Sequence, residues 1–150
     1  MSKFIPLAEP NIGKEEVEAV SKTLKSGWVS SAGPDIIKFE NRCASFLGAK
    51  YAVACSSGTA ALQLSLLALG VKDFHDVLLP SLSFIATANA ISYTRATPIF
   101  LDISENTLCL DLSKATHFIN KNYNYSKGFY INKISGNTLF GIMPVDMLGS

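Results

Sequence analysis

Residues 51–103 read YAVACSSGTAALQLSLLALGVKDFHDVLLPSLSFIATANAISYTRATPIFLDI, and their rhythm decides the fold. The run 51–55 (YAVAC) is apolar and of strand length, Ser56-Ser-Gly-Thr59 interrupts it, and 60–69 has a helical composition that stops at Gly70. A second buried strand is expected at 77–79, ending at Pro80, then a helix over 84–93 and a third strand over 98–103 (PIFLDI). These strands are apolar throughout instead of alternating, so both of their faces are expected to be covered. Strand–helix–strand order of this kind predicts an α/β fold, a mostly parallel sheet with helices on both faces.

Upstream, the pattern predicts a helix over 14–26 with Val17, Val20 and Leu24 on one face, glutamates in its first turn and lysines near its last. Gly27 supplies its stop. A second helix is expected over 34–47, with Ile36, Phe39, Cys43 and Phe46 inward and Gly48 ending it. Downstream, 114–120 reads as a short helix, and 129–132 and 138–145 flank Ser-Gly-Asn as a hairpin would. The last strand, TLFGIMPV, is of the buried type and no helix follows it. The expectation is therefore that the sheet is completed by chain beyond Ser150 or by another polypeptide.

Composition narrows the function. The 150 residues are 48% hydrophobic and 17% charged, a globular balance, with 13 basic and 12 acidic side chains leaving a net charge of +1. No basic stripe points to nucleic acid, and the apolar stretches are too short to span a bilayer, so a small molecule or a second copy of the chain is the expected partner. The N-terminus lacks the apolar core of a signal peptide. Cys43, Cys55 and Cys109 are odd in number and form no CxxC pair, which fits reduced thiols in a cytoplasmic protein. His75 and His117 have no carboxylate or cysteine at ligand spacing, so no metal site is expected.

Three segments could carry chemistry. At the Ser57-Gly58-Thr59-Ala60 junction a helix N-terminus offers backbone N–H groups and a positive dipole end to a phosphate, and Gly58 allows close approach. An ordinary capped helix entering the core would read the same way. The segment 80–84 (PSLSF) follows a buried strand, where ligands bind in open parallel sheets. Its Phe84 either lies on an aromatic cofactor ring or is a core side chain. The loop 27–34 (GWVSSAGP) carries the only tryptophan, Trp28, with Ser30 and Ser31. It is either a ligand-wrapping loop or a connector anchored by one aromatic.

Taken in order, GWVSSAGPDIIKFE, GAKYAVACSSGTAALQLSLLALG, VLLPSLSFIATANAI, ATPIFLDI and IMPVDMLGS resemble the DegT/StrS family of sugar aminotransferases, which use pyridoxal 5'-phosphate (PLP) on a fold-type I architecture. LLPSLSF and the NKISG hairpin resemble most the branch acting on legionaminic-acid-type sugar nucleotides. The resemblance implies that residues 1–150 are the N-terminal segment and front of the PLP-binding domain, with the rest of that domain and a C-terminal domain absent. It implies PLP phosphate on the amides of Gly58, Thr59 and Ala60 beside Ser57, the pyridine ring against Phe84, and a substrate pocket bordered by Trp28, Ser30 and Ser31. Many members carry His where Asp146 stands, so no role transfers there.

The family's acidic partner of the pyridine nitrogen and its cofactor-bearing lysine both fall beyond Ser150. Segment 129–133 (FYINK) imitates the lysine segment faintly, but it precedes IMPVDMLG and lacks the following Gly-Glu-Gly-Gly. Lys133 is therefore read as a solvated hairpin lysine. The implied activity is transfer of an amino group, with glutamate as donor, to a nucleotide-linked keto sugar for amino-sugar and surface-polysaccharide biosynthesis, by a homodimer. Two alternatives stay open: a PLP-dependent sugar dehydratase of the same family, or a non-catalytic fragment acting as an interaction module.

Overall fold

The structure, a computed structural model, describes residues 4–6 and 9–149. The chain divides into two compact units, Met1–Ala54 and Cys55–Ser150.

The first unit is a helix pair. Helix α1 spans Lys14–Ser26 and α2 spans Pro34–Leu47, the bounds the sequence predicts. Their ends follow from local chemistry. Glu16 reaches back to accept the Gly13 N–H at 2.7 Å, and Pro34 opens α2 with its φ already helical. Gly27 and Gly48 close the two helices in the left-handed region, at φ of 79° and 64°. Thr23 on α1 donates to Asp35 on α2 at 2.6 Å. No side chain of either helix is fully buried, and the expected inward residues Phe39 and Phe46 are exposed.

Segment 51–55 is not a strand, contrary to the sequence reading. An apolar run becomes a strand only where another strand lies alongside, and none of the sheet's strands pairs with it. The Ala54 N–H instead donates to Glu40 Oε1 on α2 at 2.8 Å.

The second unit holds a five-stranded sheet in the order β2-β1-β5-β4-β3, formed by β1 (His75–Pro80), β2 (Thr97–Leu101), β3 (Tyr123–Ser126), β4 (Phe129–Asn132) and β5 (Thr138–Ile142). β1 pairs in parallel with both β2 and β5. The hairpin β3–β4 then adds two antiparallel strands, so the sheet is mixed. The sequence reading missed β3, because Tyr-Asn-Tyr-Ser lacks a run of apolar residues. Its hairpin partner β4 turns through Lys127 and Gly128, both at positive φ, as a two-residue turn requires.

Helices cover both faces. Val77 and Leu79 of β1 pack with Leu66, Ala88, Ala90 and Ile91 of α3 (Gly58–Ala68) and α4 (Ile85–Tyr93). Leu78 points the other way, into a cluster with Leu101, Leu110 and Ala115 of α5 (Leu112–Asn122). Complete burial of Leu78, Leu79 and Ile91 stabilises the fold by about 1.5–3 kcal/mol each. Asp111 starts α5 by accepting the N–H groups of Ser113 and Lys114 at 2.9 and 3.1 Å, which places the helix start two residues before the sequence reading.

Tyr123 is buried, and its hydroxyl donates to Asp76 at 2.7 Å. Burial first, and the Asp76 hydrogen bond second, push its phenol well above the ordinary value of 10.0. A group whose pKa is raised on folding contributes stability below its unfolded pKa and loses it as pH rises beyond. Unfolding stability should therefore fall as pH climbs above 10.0. Tyr123→Phe should remove that alkaline slope while lowering stability at neutral pH by about 1–3 kcal/mol, as chemical denaturation across pH will show.

Candidate functional site

Chain direction puts the two candidate ligand segments of the second unit at one edge of the sheet. Helix α3 leads into the amino end of β1, so it starts at the carboxyl edge. Helix α4 leaves the carboxyl end of β1, so it starts there too. In open α/β sheets that edge is where ligands bind.

Ser57 is the N-cap of α3, in extended conformation, and its hydroxyl accepts the Ala60 N–H at 3.2 Å. The Ser57 carbonyl takes the Ala61 N–H at 3.0 Å. The amide of Ala60 is thus committed, and among the described residues none accepts from the amides of Gly58 and Thr59. A Cβ built on Gly58 meets nothing within 4 Å, so the backbone at this position is open to close approach. That is the geometry an oxyanion needs, and the helix dipole reinforces it.

Phe84 is the N-cap residue of α4 and is 88% exposed. The ring therefore stands outside the core of the described residues. The neighbouring Ser83 was not singled out from the sequence. Its hydroxyl donates to the Phe84 carbonyl at 2.9 Å and lies 2.6 Å from the Thr87 hydroxyl. Phe84 has no side-chain cap of its own, so this hydroxyl pair holds the entry into α4. The Ser-x-x-x-Thr spacing in 83–87 is the signal that could have found it.

Segment 143–149 follows β5 to the same edge, tied to β1 by the Met143 N–H on the Leu78 carbonyl at 2.8 Å. It ends in a 3-10 turn, Met147–Gly149, with Leu148 at φ 54°. Beyond the carboxyl end of β2, Asp102 pairs with Lys114, and the Lys114 hydrogen bond holds its carboxyl below the ordinary 3.8. Asp111 is lowered as well, chiefly by the Ser113 hydroxyl. Both carboxylates and the lysine are thus engaged with one another or with a helix end.

Lys133 lies at the opposite edge, just before the amino end of β5. Its Nζ donates to the carbonyls of Asn120 and Lys121 at 3.4 and 2.6 Å, at the C-terminus of α5. It is exposed, as a solvated hairpin lysine is expected to be, and it also caps the end of α5.

In the first unit, α1, α2 and the loop between them border a groove of about 1010 Å³ whose lining includes Trp28, Ser30, Phe39, Arg42 and Phe46. Ser30 folds onto its own loop, donating to the Ala32 carbonyl at 3.3 Å. Ser31 is exposed and stands outside the groove lining. Among the described residues no group of three or more His, Cys, Asp or Glu could hold a metal ion, and no helix is long and apolar enough to cross a membrane.

A parallel β2-β1-β5 core, with two helices starting at its carboxyl edge, defines an α/β domain of the kind that binds ligands along that edge. The chain belongs to the DegT/DnrJ/EryC1/StrS aminotransferase family, which matches residues 10–150. It is 51% identical over 108 residues to the spore coat polysaccharide biosynthesis protein SpsC of Bacillus subtilis, covering 72% of this chain and 28% of that protein. It is 45% identical over 111 residues to GDP-perosamine synthase of Escherichia coli O157:H7, covering 74% and 30%. Among solved structures it resembles a DegT/DnrJ/EryC1/StrS aminotransferase from Brucella abortus, with 28% identity, a TM-score of 0.72, and 89% and 33% of the two chains covered. It also resembles NtdA of Bacillus subtilis with bound PMP, at 30% identity, a TM-score of 0.66, and 89% and 28% covered. The chain therefore spans about a third of the length of these relatives.

The exposure of Phe84 generates a clean contrast. Phe84→Ala should leave the stability of the ligand-free protein within about 0.5 kcal/mol of the parent, as for surface substitutions. Ile91→Ala, in the core, should cost about 2–5 kcal/mol. Thermal melts without cofactor check both.

Proposed function

We propose that this chain is the cofactor-binding front of a PLP-dependent aminotransferase that converts a nucleotide-linked keto sugar to its amino sugar, with glutamate as amino donor. One observation carries the reading: the open amides of Gly58 and Thr59 start α3 at the edge where the exposed ring of Phe84 starts α4. A phosphate seat and an aromatic face at one sheet edge fit the two ends of PLP. Family membership and the PMP-bound NtdA support the same cofactor.

Each residue has a definite task in this reading. The Gly58 and Thr59 amides hold the phosphate, while Ser57 keeps the first turn in place through Ala60. Phe84 packs flat against the pyridine ring, at the start of α4 that Ser83 holds. Trp28, Ser30 and Ser31 contact the sugar nucleotide. PLP, when bound, supplies the electron-withdrawing ring that makes amino transfer possible. The lysine and the acidic partner of the ring belong to sequence outside residues 1–150, as does the C-terminal domain. SpsC and GDP-perosamine synthase, by their names, support a role in amino-sugar and polysaccharide biosynthesis. The exposed Val20, Leu24, Phe39 and Phe46 of the helix pair support a homodimer, since such a surface fits coverage by protein.

Gly58→Val tests the seat. The added carbon meets nothing in the protein, so the variant should fold with an unchanged melting temperature. In the full-length protein it should bind PLP at least about tenfold more weakly, a difference of about 1.4 kcal/mol, because the β-branched side chain stands where the phosphate approaches. Unchanged PLP affinity in the folded variant overturns the assignment. Borohydride reduction of residues 1–150 with PLP should label no single lysine, and stoichiometric labelling of Lys133 would contradict the reading.

A further inference from the structure

Asp76 of β1 is 0% exposed, the one buried carboxylate among the described residues. Three side chains from three separate segments converge on it. The Tyr123 hydroxyl of β3 and the Asn132 amide of β4 donate to Oδ2 at 2.7 and 2.9 Å, and the Asn137 amide, just before β5, donates to Oδ1 at 2.8 Å. The orientation of Asn132 is dictated, because its Oδ1 already accepts the N–H groups of Ile134 and Ser135 at 3.0 and 3.2 Å. Only its Nδ2 remains for Asp76. The Asn137 amide also reaches the Thr97 hydroxyl on β2 at 3.3 Å. One carboxylate thus ties β1 to β3, to β4 and to the residue that leads into β5, and Asn137 carries the link on to β2.

The ladder it sits in is weakly specified by backbone pairing alone. β4 and β5 share one registered pair, Ile131 with Thr138. Along β1, Leu139 of β5 faces Asp76 and Gly141 faces Val77, so Phe140 is an extra, bulged residue whose ring stacks on His75 at 5.0 Å. Leu139 packs on one face of the sheet and Met143 on the other. A slip of one residue would exchange those faces and displace segment 143–149 by about 3.3 Å along the edge. That segment meets the carboxyl edge where segment 81–84 leaves β1.

We propose that Asp76 is a positioning residue: through Asn137, Asn132 and Tyr123 it sets the register of β5 on β1, and so aligns segment 143–149 with the cofactor edge. Loss of the carboxylate releases the register without touching the edge itself. The role in register stands on its own, and only its effect on PLP rests on the proposed function.

The test compares Asp76→Asn in the full-length protein with Ile91→Val, a core variant chosen to lower the melting temperature without touching this cluster. The asparagine keeps the shape but turns one acceptor into a donor facing two amides and a hydroxyl. Hydrogen exchange without cofactor should show the Met143 amide at least about tenfold less protected in Asp76→Asn than in Ile91→Val. PLP should bind at least about tenfold more weakly. The exchanged pair Asp76→Asn/Asn137→Asp, which restores one complementary donor and acceptor, should recover both. If Asp76→Asn does not fold, Asn137→Ala, which leaves two donors, carries the same comparison. Protection of Met143 equal to that of the core variant overturns the proposal. Lost protection with intact PLP affinity upholds the register role and overturns only its link to the cofactor edge.

Discussion

β1 has a hydrogen-bonded strand on either side and helices above and below, and that double enclosure sets the terms for everything else in residues 55–149. A strand buried on both faces cannot leave backbone groups unpaired, and β2 and β5, both parallel to it, supply the partners. Parallel neighbours need crossovers, and crossovers carry helices over the faces. The helices adjoining β1 then begin at its carboxyl edge. The placement of the Gly58 and Thr59 amides at that edge is a by-product of burying five consecutive residues of one strand.

Polar groups respond to the same enclosure. Inside the sheet, Asp76 has its donors supplied by neutral side chains, and no buried side-chain polar atom among the described residues lacks a partner. At the exposed rim, Asp102, Lys114 and Asp111 satisfy one another and a helix end instead. The amides of Gly58 and Thr59 belong to neither group. The backbone at Gly58 is open to close approach, and no described residue accepts from either amide.

How much of this could be read from residues alone follows the physics of each signal. Caps and stops act locally, so Pro34, Gly27 and Gly48 bounded α1 and α2 correctly. Ser57 did nearly as well for α3, which begins at Gly58, not at residue 60. Pairing is not local. The run YAVAC has the composition of a strand but no partner strand among the described residues, whereas YNYS has the wrong composition and became β3 because β4 lies beside it. Asp76 was invisible for the same reason, since an aspartate ahead of VLLP reads as a strand's solvated start until Tyr123, Asn132 and Asn137 are seen to meet there. The site segments were legible because their signals are local: a cap, a glycine and an aromatic after a strand. That Phe84 is exposed, and that Ser83 bonds to its carbonyl, required coordinates.

The helix pair has a consequence in time. Neither α1 nor α2 completes the burial of a single side chain, and Phe39, Phe46, Val20 and Leu24 stay open to water. Synthesis runs from the N-terminus, so this pair leaves the ribosome before any strand of the sheet exists. At about 5–20 residues per second, the roughly 100 residues that follow take on the order of 5–20 s to add. While the strands are still being made, those apolar side chains already stand exposed on the nascent chain.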